Sequence, residues 1–107
     1  MAKFLLSASY TESGAKGLRK DGGTKREHVV RLAIESVGGK LEAFYFALGK
    51  NDAFVIADLP DTVSAAALGL AVAASGAARC DTTPLLTSAE MDKAVSKNTA
   101  YRAPGVD

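Results

Sequence analysis

The stretch KLEAFYFALGKNDAFVIADLP, residues 40–60, decides the fold. It reads as two strands joined by a turn. Lys40 to Leu48 and Ala53 to Leu59 are runs of aromatic, β-branched and small apolar residues. Gly49, Lys50, Asn51 and Asp52 between them form a turn, because Gly, Asn and Asp tolerate left-handed backbone. Pro60 has no N–H to offer a ladder and stops the second strand. Alternation puts Leu41, Ala43, Tyr45 and Ala47 on one side of the first strand and Phe44, Phe46 and Leu48 on the other. In the second strand Val55, Ala57 and Leu59 oppose Phe54 and Ile56. Both sheet faces are therefore expected to be apolar, and each needs a cover.

Working outward, residues 3–10 form another strand, with Phe4, Leu6, Ala8 and Tyr10 on one face and Leu5, Ser7 and Ser9 on the other. Thr11 or Ser13 caps a short basic helix over Gly14–Asp21, which Gly22-Gly23 interrupts. Thr24 with Glu27 has the spacing of a capping box, so a second helix is predicted from Lys25 to about Val37, its apolar stripe being Val30, Ala33, Ile34 and Val37. Beyond Pro60, Asp61 or Thr62 caps a helix over about Val63–Ala74 that is apolar almost all round. Ala78 to Leu86 is a fourth strand, and Pro84 marks it as an edge or a bulge. Thr87 or Ser88 caps a last short helix, with Glu90 and Asp92 in its first turn, and Tyr101–Gly105 is an extended tail.

Composition bounds what such a chain does. Its 107 residues suit one domain, residues 1–107. Lys+Arg 13 against Asp+Glu 12 leaves a net charge of +1, so a basic nucleic-acid surface is not the theme and no nucleic-acid partner is expected. One Cys and one His exclude an internal disulfide and a multi-histidine metal centre within one chain, and neither metal nor other cofactor is expected. Phe4-Leu5-Leu6 breaks at Ser7, and Ala65–Ala78 is too short to span a bilayer; no membrane association is expected, and the location expected by default is the cytoplasm.

The order β-α-β-β-α-β plus a C-terminal helix defines an α+β chain, and the common arrangement with two right-handed crossovers on one small sheet is ferredoxin-like. Two helices cover one face only. The second cover is most simply another subunit, which pairs the sheets as a dimeric α+β barrel; the expected partner is the chain itself, as a homodimer or higher homo-oligomer. Ala8-Ser9-Tyr10-Thr11, Lys16-Gly17-Leu18, Gly22-Gly23, Gly38-Gly39 with the strand that follows, Asp58-Leu59-Pro60-Asp61, Ala74-Ser75-Gly76-Ala77 and Leu85-Leu86-Thr87 together resemble the GYD-domain proteins. The resemblance runs from Lys3 to about Gly105 and implies the dimeric α+β barrel fold; it implies no particular activity. Gly49 and Asp52 keep the naming motif, and Asn51 stands where the family's tyrosine is expected.

Candidate ligand-binding residues are Tyr10, Tyr45, Arg26, His28 and Asp58. Tyr10 and Tyr45 could orient a small organic ligand in an apolar pocket, or be core tyrosines with hydroxyls at the rim. Arg26 belongs to a basic segment, Lys16–Arg31, that could hold an anion beside Gly22-Gly23, or simply be a solvated face. His28 is the one imidazole and a candidate proton shuttle or haem ligand, although it lies about 200° from Val30 around the helix. Asp52 and Asp58 read as turn and strand-end residues first, and Cys80 as a small core residue without a base to activate it. Two functions follow: binding or transforming a small organic molecule without metal or nucleotide, or a non-catalytic oligomerisation or regulatory module.

Overall fold

The computed structural model describes all residues from Met1 to Asp107. Chain order is β1 (Ala2–Tyr10), α1 (Glu12–Asp21), α2 (Gly23–Ser36), β2 (Lys40–Phe46), β3 (Ala53–Leu59), α3 (Thr62–Ala74), β4 (Ala78–Leu85) and α4 (Ser88–Ser96). The strands form one antiparallel sheet in the order β2-β3-β1-β4. This is the ferredoxin-like arrangement, with a C-terminal helix added.

Register explains the core. Phe4 lies opposite Ala57 and Leu6 opposite Val55, so the even-numbered side of β1 and the odd-numbered side of β3 share a face. That face is covered by α2 and α3. Ile34 from α2 and Ala65 and Leu68 from α3 close over Phe4, Leu6, Leu41, Val55, Ala57 and Leu59. Pro84 sits on β4, an edge strand, opposite Phe4 of β1.

The register also corrects the reading of β2. Leu41 pairs with Ala57, but Ala43 pairs with Ile56, so Glu42 is an extra residue at a β-bulge. A bulge advances the alternation by one position. Leu41, Phe44 and Phe46 therefore all face the helices, while Glu42, Ala43 and Tyr45 face the open side with Phe54 and Ile56. Phe44 and Phe46 stack edge to face at 5.0 Å between centroids. β2 also ends two residues before the expected Leu48: Ala47 N–H leaves the ladder to donate to the Asp52 carbonyl, and Leu48 hangs fully exposed at the hairpin tip.

The helix starts follow cap chemistry, with one exception. Thr11 caps α1 by accepting the Gly14 N–H, Asp61 caps α3 by accepting the Ser64 N–H, and Thr87 with Glu90 completes a capping box on α4. The capping box expected at Thr24 and Glu27 does not form. Gly22, at φ +84°, closes α1 and leads directly into α2 at Gly23 with no side-chain cap. The tight turn is possible because Gly22 takes a left-handed φ, and Gly23 beside it lies under the Phe46 ring, where a Cβ would come within 2.9 Å of the ring edge.

The uncovered sheet face is mixed. Leu5, Ile56 and Leu85 are half-buried, Phe54 is 36% and Tyr45 73% exposed. At one end of this face Lys3 bridges Asp58 at 3.0 Å and Glu42 at 3.1 Å. From Leu86 to Asp107 every residue is exposed, so α4 and the tail project as an arm. The radius of gyration is 17.1 Å, whereas a compact chain of this length has about 13 Å. No helix is long and apolar enough to cross a membrane.

Candidate functional site

α2 and α3 barely touch each other, and the gap between them and the sheet is a cavity of about 240 Å³. Its walls are Leu6 and Val55 from the sheet, Val30 and Ala33 from α2, and Leu68 and Val72 from α3. Gly69 lines it without a side chain, which leaves part of the space open on the α3 side. Of 17 lining residues 14 are hydrophobic, so the interior offers nothing to a charge.

Polar groups gather at one end. Tyr10 closes β1 opposite Ala78, and Cys80 lies opposite Ala8, so the end of β1 and the start of β4 carry both. Arg26 reaches this end from the first turn of α2. Its Nε donates to the Tyr10 hydroxyl at 3.4 Å, and its guanidinium lies 5.6 Å from the Tyr10 ring centroid, in cation–π range. Both residues also border a second cleft of about 130 Å³ that runs along α1 past Gly14, Gly17 and Asp21. Arg26 is half-buried, and no carboxylate lies within 4.0 Å of it; Asp21 pairs with Lys25 instead, and Glu27 with Arg31.

Asp52 holds Tyr10 in place. Its carboxylate accepts the Tyr10 N–H at 2.8 Å, and its own N–H donates to the Ala8 carbonyl at 2.8 Å. The β2–β3 turn is thereby pinned to the end of β1. Ser9 adds bonds to the Lys50 carbonyl at 3.0 Å and to Asn51 Oδ1 at 3.3 Å. The turn residues of the hairpin thus act on the cavity through the backbone of Tyr10.

The structure brings Tyr10 and Arg26 together and leaves the other candidates apart. Tyr45 lies on the opposite sheet face. Asp58 lies on that face too, bonded to Lys3, whose ammonium is held above its ordinary pKa by hydrogen bonds to Asp58 and then Glu42. His28 is exposed on α2 and does not line the cavity. Cys80 packs against the core as expected, but it also lines the cavity. Burial pushes its thiol up, so the reactive thiolate is disfavoured. No three His, Cys, Asp or Glu side chains come together as a metal site would require. The residues that sequence reasoning missed are the apolar lining from α3, above all Gly69 and Val72. Arg26 carried a legible signal: Arg26, Val30, Ala33 and Val37 recur at helical spacing, so it is the charged member of an apolar stripe.

Fold and site define a ferredoxin-like α+β protein with a ligand-sized apolar cavity under its helices. The profile of the GYD domain matches residues 4–95, and the chain belongs to the GYD-domain family. No curated protein and no solved structure gives a significant match.

Proposed function

We propose that the protein is a homo-oligomeric α+β barrel whose protomers each bind a small organic molecule in the cavity between α2, α3 and the sheet. The observation that carries this reading is the cavity itself. It is a cleft of about 240 Å³ open to solvent on one side, walled by apolar side chains, with a cation and a phenol at one end. The reading is of binding rather than turnover. Cys80 is held as a thiol, and His28 faces away from the cavity.

A second copy is the proposed cover for the open sheet face and for the arm beyond Leu85. Tyr45 and Phe54 on the face, and Leu86, Met91 and Val95 on the arm, are exposed apolar groups, with Leu5 and Ile56 half-buried beside them. The single free thiol and the cytoplasm suit each other, since reducing compartments keep thiols unpaired.

Gly69→Leu tests the binding site. A Cβ at Gly69 meets only Thr82 Oγ1, at 3.8 Å, so the side chain has room to enter the cavity. Native mass spectrometry and thermal shifts against small aromatic and aliphatic compounds should show adducts and stabilisation for the wild type and neither for Gly69→Leu. Equal responses, or none in the wild type, would refute the site. Light scattering tests the assembly: a monomer at micromolar concentration contradicts it. The arm favours a second reading, a non-catalytic oligomerisation module, which an oligomer without any ligand response would select.

A further inference from the structure

We infer that the ligand is a small monocarboxylic acid with an apolar tail, its carboxylate held by Arg26 and Tyr10 and its tail lying between α2, α3 and the sheet. The inference rests on the binding reading above and adds the chemical class. It comes from counting donors and acceptors at the polar end. The Tyr10 hydroxyl accepts from Arg26 Nε, so its own proton is free to be donated onward. That bond is the only side-chain hydrogen bond Arg26 makes, and its terminal N–H groups meet no protein carboxylate. The cavity thus presents several unused donors at one end, while the one other hydroxyl in its lining, Ser75, is already engaged by the Val72 carbonyl and the Ala77 N–H. A ligand headgroup that only accepts satisfies this set; an ammonium does not, and an amide brings donors of its own that find no partner.

Charge points the same way. Arg26 has no carboxylate within 4.0 Å, since Asp21 and Glu27 pair with other cations, so its guanidinium is free to take an incoming anion. One guanidinium matches one carboxylate, as two parallel N–H···O bonds. A phosphate dianion would need a second cation. The one other charged residue lining the adjoining cleft is Asp21, of the wrong sign and already paired with Lys25.

Volume sets the size of the acid. An apolar cavity of about 150 Å³ takes benzene, so by the same proportion about 240 Å³ takes a molecule of about ten non-hydrogen atoms. Three of those atoms are the carboxylate. The remaining chain of about seven carbons is an unbranched aliphatic tail or a single ring with one methylene.

The test uses octanoate and phenylacetate against octanamide and phenylacetamide, titrated by calorimetry into the full-length protein. The acids should bind about 10- to 100-fold more tightly than their amides, the scale of a hydrogen bond to a charged group. Arg26→Gln should remove most of that margin, weakening the acids by a much larger factor than the amides. Tyr10→Phe should reduce it by a smaller factor, which keeps the inference testable where one variant fails to fold. Octanoate should also slow maleimide labelling of Cys80, which locates the acid in the cavity. Amides binding as well as acids would overturn the carboxylate class while leaving the cavity reading in place. Acids that bind with no effect of Arg26→Gln or on Cys80 labelling would place the anion elsewhere and overturn it too. No binding by either series would overturn both.

Discussion

Two glycines in α1 receive the same substitution with opposite expected results. Gly14 is buried where α1 meets the turn before β4. An added Cβ there would stand 1.8 Å from the Ala77 carbonyl oxygen and 2.8 Å from its carbon. Both are backbone atoms and cannot rotate away. An ordinary carbon contact needs about 3.5 Å, so the helix start must move by about 1.5 Å or more. That movement breaks the seam between α1 and β4: Thr11 N–H to Ala77 at 3.0 Å, Thr11 hydroxyl to Gly76 at 2.7 Å and Ser13 hydroxyl to Gly76 at 3.3 Å. Three hydrogen bonds at about 0.5–1.5 kcal/mol each amount to roughly 1.5–4.5 kcal/mol. The better helix propensity of Ala returns about 1 kcal/mol. Gly14→Ala is therefore expected to destabilise by about 0.5–3.5 kcal/mol. At Gly17, three residues on, nothing lies within 4 Å of a Cβ. Gly17→Ala keeps the propensity gain and should stabilise by about 0.5–1 kcal/mol. Urea unfolding at one fixed chain concentration, with matching m-values, measures both. A Gly14→Ala protein as stable as the wild type, or two variants shifting the same way, would refute the docking of α1 described here.

Three further expectations concern charge. Asp61 is held below its ordinary pKa by the Ser64 N–H, so its cap contributes stability above the normal aspartate range that is lost as pH falls through its lowered value; the difference between wild type and Asp61→Ala should shrink in acid unfolding series. Lys3 behaves in the opposite sense: raised above 10.5 by Asp58 and Glu42, it contributes stability that is complete below 10.5 and disappears as pH rises through its folded value, so Lys3→Met and wild type should converge in strong alkali. Asp52→Ala removes the acceptor for the Tyr10 N–H and should cost about 1–3 kcal/mol in chemical unfolding, with cavity ligands bound more weakly; unchanged stability would mean that the turn is not what holds Tyr10.

Much of this molecule was legible in its residues. Period-two alternation is a local property, so β1 and β3 could be assigned to faces from Phe4-Leu5-Leu6 and Val55-Ile56-Ala57 alone, and the pairing confirmed both. Caps are local too: Thr11, Asp61 and Thr87 each act on an N–H three residues ahead. With those elements in order, few topologies remain for a short chain, and the antiparallel sheet followed. Tertiary structure decided what depends on residues far apart in sequence. The bulge at Glu42 exists only against the register of β3, and by moving Phe44 and Phe46 beneath the helices it left the open face less apolar than β2 taken alone implied. The capping box at Thr24 does not form because α2 starts one residue earlier, at Gly23, which fits under Phe46 from a distant strand and leaves Thr24 inside the first turn. The cavity belongs to no single segment: it is the space left where α2 and α3 lie apart on the sheet, and only that spacing turns an arginine on a helical stripe and a tyrosine at a strand end into neighbours.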